Sequence, residues 1–221
     1  MQRLAPGIRR LDVQDQRIMP WKNGGGSTRE LALYPQSAGI NAAPFLWRVS
    51  IADVKNDGPF SAFPGYERSI MLIEGAGMEL RVADAAPVRI SDRYRPWRFT
   101  GDAHTECRLL DGPVRDFNVM SAREKITQHC EAIAGGPMEA LWKPDTETLF
   151  CHCLHGTLIV KLRGVAESSL TAGQSLWLSA DEIAGPARVL FAPNSPGSVG
   201  ILVTLRDAVP AARTTGIPRP D

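Results

Sequence analysis

Apolar residues in this chain recur at every second position, and almost no segment keeps a 3.6-residue period through three turns. Alternation at that spacing places successive side chains on opposite faces of an extended strand, which confines the chain to a mostly-β fold. The run from Phe45 to Ala52 is the clearest case: Phe45, Trp47, Val49 and Ile51 share one face, and Arg48 and Ser50 take the other. The short strands are separated by many of the 20 Gly and 17 Pro residues, with Asn and Asp, which supply turn conformations at low steric cost.

Two segments read as copies of one unit. Ile73 to Val82 runs strand, glycine turn, alternating strand, and Leu154 to Leu162 does the same, with Leu170 to Leu178 adding a turn and a further strand. Small jelly-roll barrels have this appearance, and a chain of 221 residues has room for two of them. Glu131 to Pro144, with Gly135, Gly136 and Pro137, reads as the connection into the second half. The expected division is 1–123 for a barrel with a ligand pocket, 124–207 for a scaffold barrel whose strands can be exchanged, and 208–221 for a poorly ordered tail.

Charge and targeting signals narrow the setting. With 25 basic against 24 acidic side chains, no global field draws the chain to nucleic acid or an anionic membrane. The local cluster Arg89, Arg93, Arg95 and Arg98, with Tyr94 and Trp97, reads as a solvated loop or edge strand. No run approaches the roughly 20 apolar residues of a membrane helix, and Met1 to Arg10 lacks a signal-peptide core, so a cytoplasmic location is expected. Cys107, Cys130, Cys151 and Cys153 form no regular framework and read as reduced thiols.

The residues that could carry chemistry lie mostly in the first half. In Met19 to Glu30, Gly24, Gly25 and Gly26 cost backbone entropy. They mark either a flexible turn or a backbone that approaches a ligand and offers a nest of N–H groups, with Lys22, Asn23, Ser27 and Arg29 as extra donors. The lysine precedes the glycines, which excludes a Walker loop. Arg48 faces either solvent or a pocket, where it needs a partner. Alternation places Asp116, Asn118 and Met120 on one face, making Asp116 a candidate partner for Arg48 or Arg68. Arg48, Ser50, Arg68, Asp116 and Asn118 then form either a carboxylate-binding interior or a buried ion pair that fixes register.

A metal or nucleophile finds less support. The histidines are His104, His129, His152 and His155, with no His-x-His pair. Cys151, Cys153 and His155 share a face and could hold zinc, but core thiols with a turn histidine are the favoured reading. No nucleophile elbow is present, so no catalytic residue, metal or cofactor is assigned.

Four segments in order resemble the HutD/Ves family: Met19 to Glu30, Trp47 to Ala52, Asp57 to Gly65 with Arg68, and Asp116 to Met120 with Arg123. The resemblance covers about the first 123 residues and implies a double cupin-like β-barrel, or bicupin. It also implies a link to histidine utilisation or to a stress-associated protein. A small carboxylate such as urocanate or N-formylglutamate is the implied ligand, bound in a regulatory rather than catalytic role. The ligand-binding residues expected on this basis are Lys22, Asn23, Arg48, Ser50, Arg68, Asp116 and Asn118. A cupin-type isomerase, lyase or hydrolase is the rival reading. A protein-interaction module or homodimer is the third.

Overall fold

The computed structural model describes residues 1–5, 7–36, 44–179 and 185–208. The chain begins with β1 (Gln2–Ala5), β2 (Ile8–Leu11), a 3-10 turn at Val13–Asp15, and the hairpin β3 (Arg17–Pro20) and β4 (Gly26–Tyr34). Next come β5 (Trp47–Val54), β6 (Gly58–Phe60), β7 (Tyr66–Glu74), β8 (Met78–Val82), β9 (Val88–Ile90), β10 (Pro96–Thr100), β11 (Thr105–Leu109) and β12 (Val114–Ala122). A second set follows: β13 (Ile126–Ile133), β14 (Met138–Trp142), β15 (Glu147–His155), β16 (Thr157–Leu162), β17 (Ala166–Thr171), β18 (Ser175–Leu178), β19 (Ala187–Pro193) and β20 (Val199–Asp207).

The two sets pair in the same way. The first makes sheets ordered β10-β7-β12-β5 and β6-β11-β8-β9, and adding eight to each strand number gives β18-β15-β20-β13 and β14-β19-β16-β17. The chain is therefore a duplication of an eight-stranded jelly-roll unit, the double cupin-like fold. The sheets of each unit face one another without closing into a continuous hydrogen-bonded barrel. The hairpin β3–β4 extends the first large sheet beyond β5. The strands β1–β2 pair with β18, so the first residues of the chain complete the sheet of the second set.

Three apolar layers result. One lies inside the first unit, with Ile70, Leu72, Met78, Leu80 and Cys107. One lies inside the second, with Trp142, Leu149, Leu158, Phe191 and Leu202. The third is a seam where the two six-stranded sheets meet back to back, joining Trp47, Val49, Phe117 and Val119 to Phe150, Trp177, Ile201 and Val203. Central strands are consequently buried on both faces. Trp47, Val49 and Ile51 take the seam, while Arg48 and Ser50 turn into the first unit and are 4% and 2% exposed.

Two expectations need correction. Phe45 precedes the start of β5 and packs with Leu33 and Met120, away from Trp47's layer. The segment from Glu131 to Pro144 is no connection: it holds the end of β13 and all of β14, because Trp142 is needed inside the second unit. The expected tail lies outside the described residues from position 209. Ala208 itself is pinned, its N–H donating to the Lys125 carbonyl at 2.8 Å. The arginine cluster is exposed, with Arg98 on edge strand β10, and all four cysteines are free and buried. No helix among the described residues is long and apolar enough to cross a membrane.

The triple glycine is a structural turn. Gly24 sits at φ +70°, and a Cβ on Gly26 would lie 2.2 Å from the Asp53 carbonyl oxygen and 3.1 Å from the Trp21 ring. Glycine at 26 thus lets β4 pair with β5 while Trp21 packs on top. Gly26→Ala should lower stability by about 2–4 kcal/mol because backbone must move, whereas Gly24→Ala should cost only about 1 kcal/mol. Urea unfolding followed by tryptophan fluorescence measures both, and equal losses would contradict this account.

Candidate functional site

A cavity of about 560 Å³ opens at one end of the first unit, between its two sheets. Each strand of its wall delivers inward residues at every second position. β5 supplies Arg48, Ser50 and Ala52, β7 supplies Arg68, and β12 supplies Asp116, Asn118 and Met120. Pairing aligns them in rows: Arg48 and Arg68 both oppose Met120, Ser50 opposes Asn118, and Ala52 opposes Asp116. The rim comes from the 21–25 turn, with Trp21, Lys22 and Asn23, and from the loop carrying Phe60, Ser61 and Phe63. All seven residues expected from the sequence line this one cavity.

Their bonding differs from the expectation. Arg48 Nε donates to Glu30 Oε2 at 2.8 Å, so its partner is Glu30 and not Asp116. Arg48 stands opposite Met120, four residues from Asp116 on β12 and so about 13 Å away along the strand. Burial lowers the Arg48 pKa, and Glu30 partly restores it. Glu30 was legible in principle, since alternation on β4 sends Thr28 and Glu30 to the same face. The same alternation sends Ser27 and Arg29 elsewhere: Ser27 Oγ donates to Asp53, and Arg29 reaches Gln16. Gly24, Gly25 and Gly26 do not line the cavity, and Asn23 Oδ1 accepts the Gly25 N–H at 3.0 Å, closing the turn.

Arg68 is the central cation. Its Nη1 donates to the Ser61 carbonyl at 3.2 Å, and its guanidinium lies 4.8, 5.5 and 5.8 Å from the ring centres of Phe99, Phe60 and Phe63. Burial lowers its pKa to about 10 while Asp116 opposes the shift, so it stays charged at neutral pH. Asp116 is fully buried, and among the described residues neither carboxyl oxygen meets a hydrogen-bond partner. Burial pushes its pKa up to about 7, with Arg68 and Asn118 acting in the opposite direction. Arg48 Nη2, Arg68 Nε and Asn118 Oδ1 are also buried without partners. The cavity therefore offers two guanidinium donors and, near Arg68, a carboxyl group that can hold or release a proton near neutrality. Among the described residues, no three His, Cys, Asp or Glu side chains converge in a metal-binding arrangement.

The duplication provides an internal comparison. Each unit has a β-bulge at the same place, beside Arg115 and Asp116 in one and beside Cys153 and His155 in the other. Aligned on these bulges, the positions of Arg48, Ser50, Arg68, Asp116 and Asn118 hold His129, Glu131, Leu149, Gly200 and Leu202. Arg68, Asp116 and Asn118 thus become aliphatic or glycine in the second unit, whereas the positions of Arg48 and Ser50 stay polar. His129 and Glu131 form an exposed pair at 3.7 Å.

The raised pKa of Asp116 has a consequence for stability. The folded state holds this proton more tightly than the unfolded chain, so stability is full at low pH and falls as pH rises from about 4 to about 7. The loss approaches about 4 kcal/mol. In Asp116→Asn this part of the pH dependence should vanish, as chemical denaturation at pH 4, 6 and 8 would show. An unchanged slope would mean that Asp116 titrates normally.

Comparison with known proteins agrees with the architecture. The HutD family model matches residues 13–191. An uncharacterized 21.2 kDa protein of the hutC 3′ region of Pseudomonas putida is 42% identical over 52% of this chain and 58% of its own length. Protein Ves of Citrobacter koseri is 35% identical over the same shares. These matches thus span somewhat over half the length of the curated relatives. Among solved structures, a conserved protein of unknown function from Pseudomonas aeruginosa PAO1 superposes with TM-score 0.78 at 33% identity, covering 90% of this chain and 98% of that one. HutD from Pseudomonas fluorescens SBW25, in a formate condition, gives 0.74 at 31%, covering 91% and 100%. Oxalate decarboxylase of Lactobacillus farciminis, at 11% identity, TM-score 0.61 and coverage of 91% and 87%, shares the fold alone. The chain belongs to the HutD family.

Proposed function

We propose that the cavity of the first unit binds a small carboxylate and that the protein is a cytoplasmic, non-catalytic regulator in histidine degradation. The observation that carries this reading is the pair of buried guanidinium groups, Arg48 and Arg68, each with an N–H lacking a protein partner and both lining one cavity. A buried unpaired donor costs about 1–3 kcal/mol, a penalty that an anionic ligand would relieve. The cavity volume lies within the usual range for metabolite sites. Phe60 and Phe63 supply an apolar wall for the ligand's carbon skeleton. The relatives add the pathway: one lies in a hutC 3′ region, and another is a HutD whose structure is identified with a formate condition. Urocanate and N-formylglutamate are carboxylates of that pathway and of suitable size.

A second reading comes from Asp116. A buried carboxyl with a pKa near 7 near the Arg68 cation is also the arrangement of a general acid or base. The two readings part on turnover. Under the regulatory reading, urocanate and N-formylglutamate incubated with the protein stay chemically unchanged by proton NMR.

Thermal shift and calorimetry with formate, urocanate, N-formylglutamate and their uncharged amides test the binding itself. At least one acid at about 1–10 mM should raise the unfolding temperature by several degrees while its amide does not. Arg48→Met and Arg68→Met should each weaken binding by roughly 10- to 100-fold. Failure of every acid to stabilise the folded protein at that concentration would exclude the carboxylate site.

A further inference from the structure

We infer a second anion site, in a cavity of about 260 Å³ on the seam between the two six-stranded sheets, that takes a small oxyanion through Arg29 and His152. It is separate from the carboxylate cavity, which lies on the opposite face of β5: Ile51 lines the seam cavity, and Ser50 and Ala52 line the other. Arg29 and Arg115 enter from the first sheet and His152 from the second, between apolar walls formed by Ile51, Ile73 and Leu154.

Three observations carry the assignment. The first is an uncompensated cation. Arg115 is held by Asp53 at 2.7 Å and Glu74 at 3.2 Å, but among the described residues Arg29 has no carboxylate partner and only a long bond of 3.4 Å to Gln16 Oε1. The cavity lining thus carries two guanidinium groups against the single carboxylate of Glu74.

The second is an unused ring nitrogen. His152 is 2% exposed, its Nδ1 lies 2.8 Å from Ser175 Oγ, and among the described residues its Nε2 makes no hydrogen bond. Burial, reinforced by Arg115 and Arg29, holds the imidazole neutral, with its pKa lowered to about 3. In the tautomer in which Ser175 donates to Nδ1, the single ring proton sits on Nε2 and is available to an anion.

The third is the internal comparison. The position equivalent to His152 in the first unit is Met71, fully buried and apolar, and the position equivalent to Arg115 in the second is Val199. An aliphatic residue satisfies this seam in one copy of the unit. A buried neutral histidine facing two guanidinium groups is the costlier solution for packing alone. A bound oxyanion would offset that cost, accepting from Arg29 and from His152 Nε2. Carboxylate and inorganic phosphate share this acceptor chemistry, and the cavity has room for either.

The test uses the full-length protein with ¹⁵N-labelled histidine, titrated separately with sodium phosphate and sodium acetate to about 20 mM at pH 7 and constant ionic strength. Before any addition, the His152 ring should show the Nε2–H tautomer, and the Nδ1–H tautomer would overturn the proposal. One of the two anions should then shift the His152 Nε2 resonance in a saturable way, and the responding arm identifies the anion class. Arg29→Gln, a change on a half-buried side chain, should weaken that response by roughly tenfold or more. Over the same range Arg48→Met should leave it unchanged, which separates this site from the carboxylate cavity. A wild-type protein whose His152 signals ignore both anions, or an Arg29→Gln protein that responds like wild type, would overturn the assignment.

Discussion

The packing of two six-stranded sheets back to back is the constraint on which the rest of this structure depends. It rests on large side chains meeting across the seam, with the Trp47 and Trp177 rings 4.8 Å apart and Tyr34 stacked on Trp47 at 5.8 Å. Each buried aromatic contributes on the order of 2–3 kcal/mol, with the ring geometry adding somewhat more. Once the outer faces of β5, β7 and β12 are committed to the seam, their alternate residues have no water to face. Whatever polar group the sequence places there must be buried inside the first unit.

The two units meet that requirement differently. In the second, Trp142, Leu149, Phe191 and Leu202 fill the interior, and the buried carboxylate at its end, Glu147, is paired with Arg206 at 2.7 Å. In the first, one end of the interior is filled by Met78, Leu80 and Cys107, and the other end is a cavity containing Arg48, Arg68 and Asp116. Attraction between buried charges seldom repays their desolvation relative to an apolar pair. Asp116 reflects this balance: burial outweighs the attraction of Arg68, and the carboxyl titrates near neutrality. Leu149 and Gly200 at the equivalent positions show that the fold itself does not require a charged pair there.

Support for the charges comes from around them. Glu30 on β4 anchors Arg48, and Phe60, Phe63 and Phe99 surround Arg68 with ring faces. The loop that carries Ser61 and Phe63 is tied in turn to the 100–102 turn: the Gly65 N–H donates to Asp102 at 2.6 Å, and Arg123 bonds Asp102 and Thr100. Arg123 and the glycine turn at 24–26 are therefore supports that hold the rim in place, Arg123 through Asp102 and the turn through Trp21. They do not contact the cavity themselves.

Much of this was legible in the residues because strand alternation is a local property. The period of two separated Arg48 and Ser50 from Trp47 and Val49, and Asp116 and Asn118 from Phe117 and Val119, without reference to any partner strand. The glycine turns marked two copies of a unit, and the resemblance to HutD placed the expected ligand residues in the first. Pairing and depth were not legible. Which carboxylate meets Arg48 depends on how β4 and β12 flank β5, and whether a triple glycine greets a ligand or a neighbouring carbonyl depends on the strand beside it. The burial of His152 depends on the opposing sheet. Which side chains share a face could be read along a single strand, since that follows from local backbone geometry. Which faces are dry and which charges are paired emerged with the packed sheets, because both are set by strands distant in the chain.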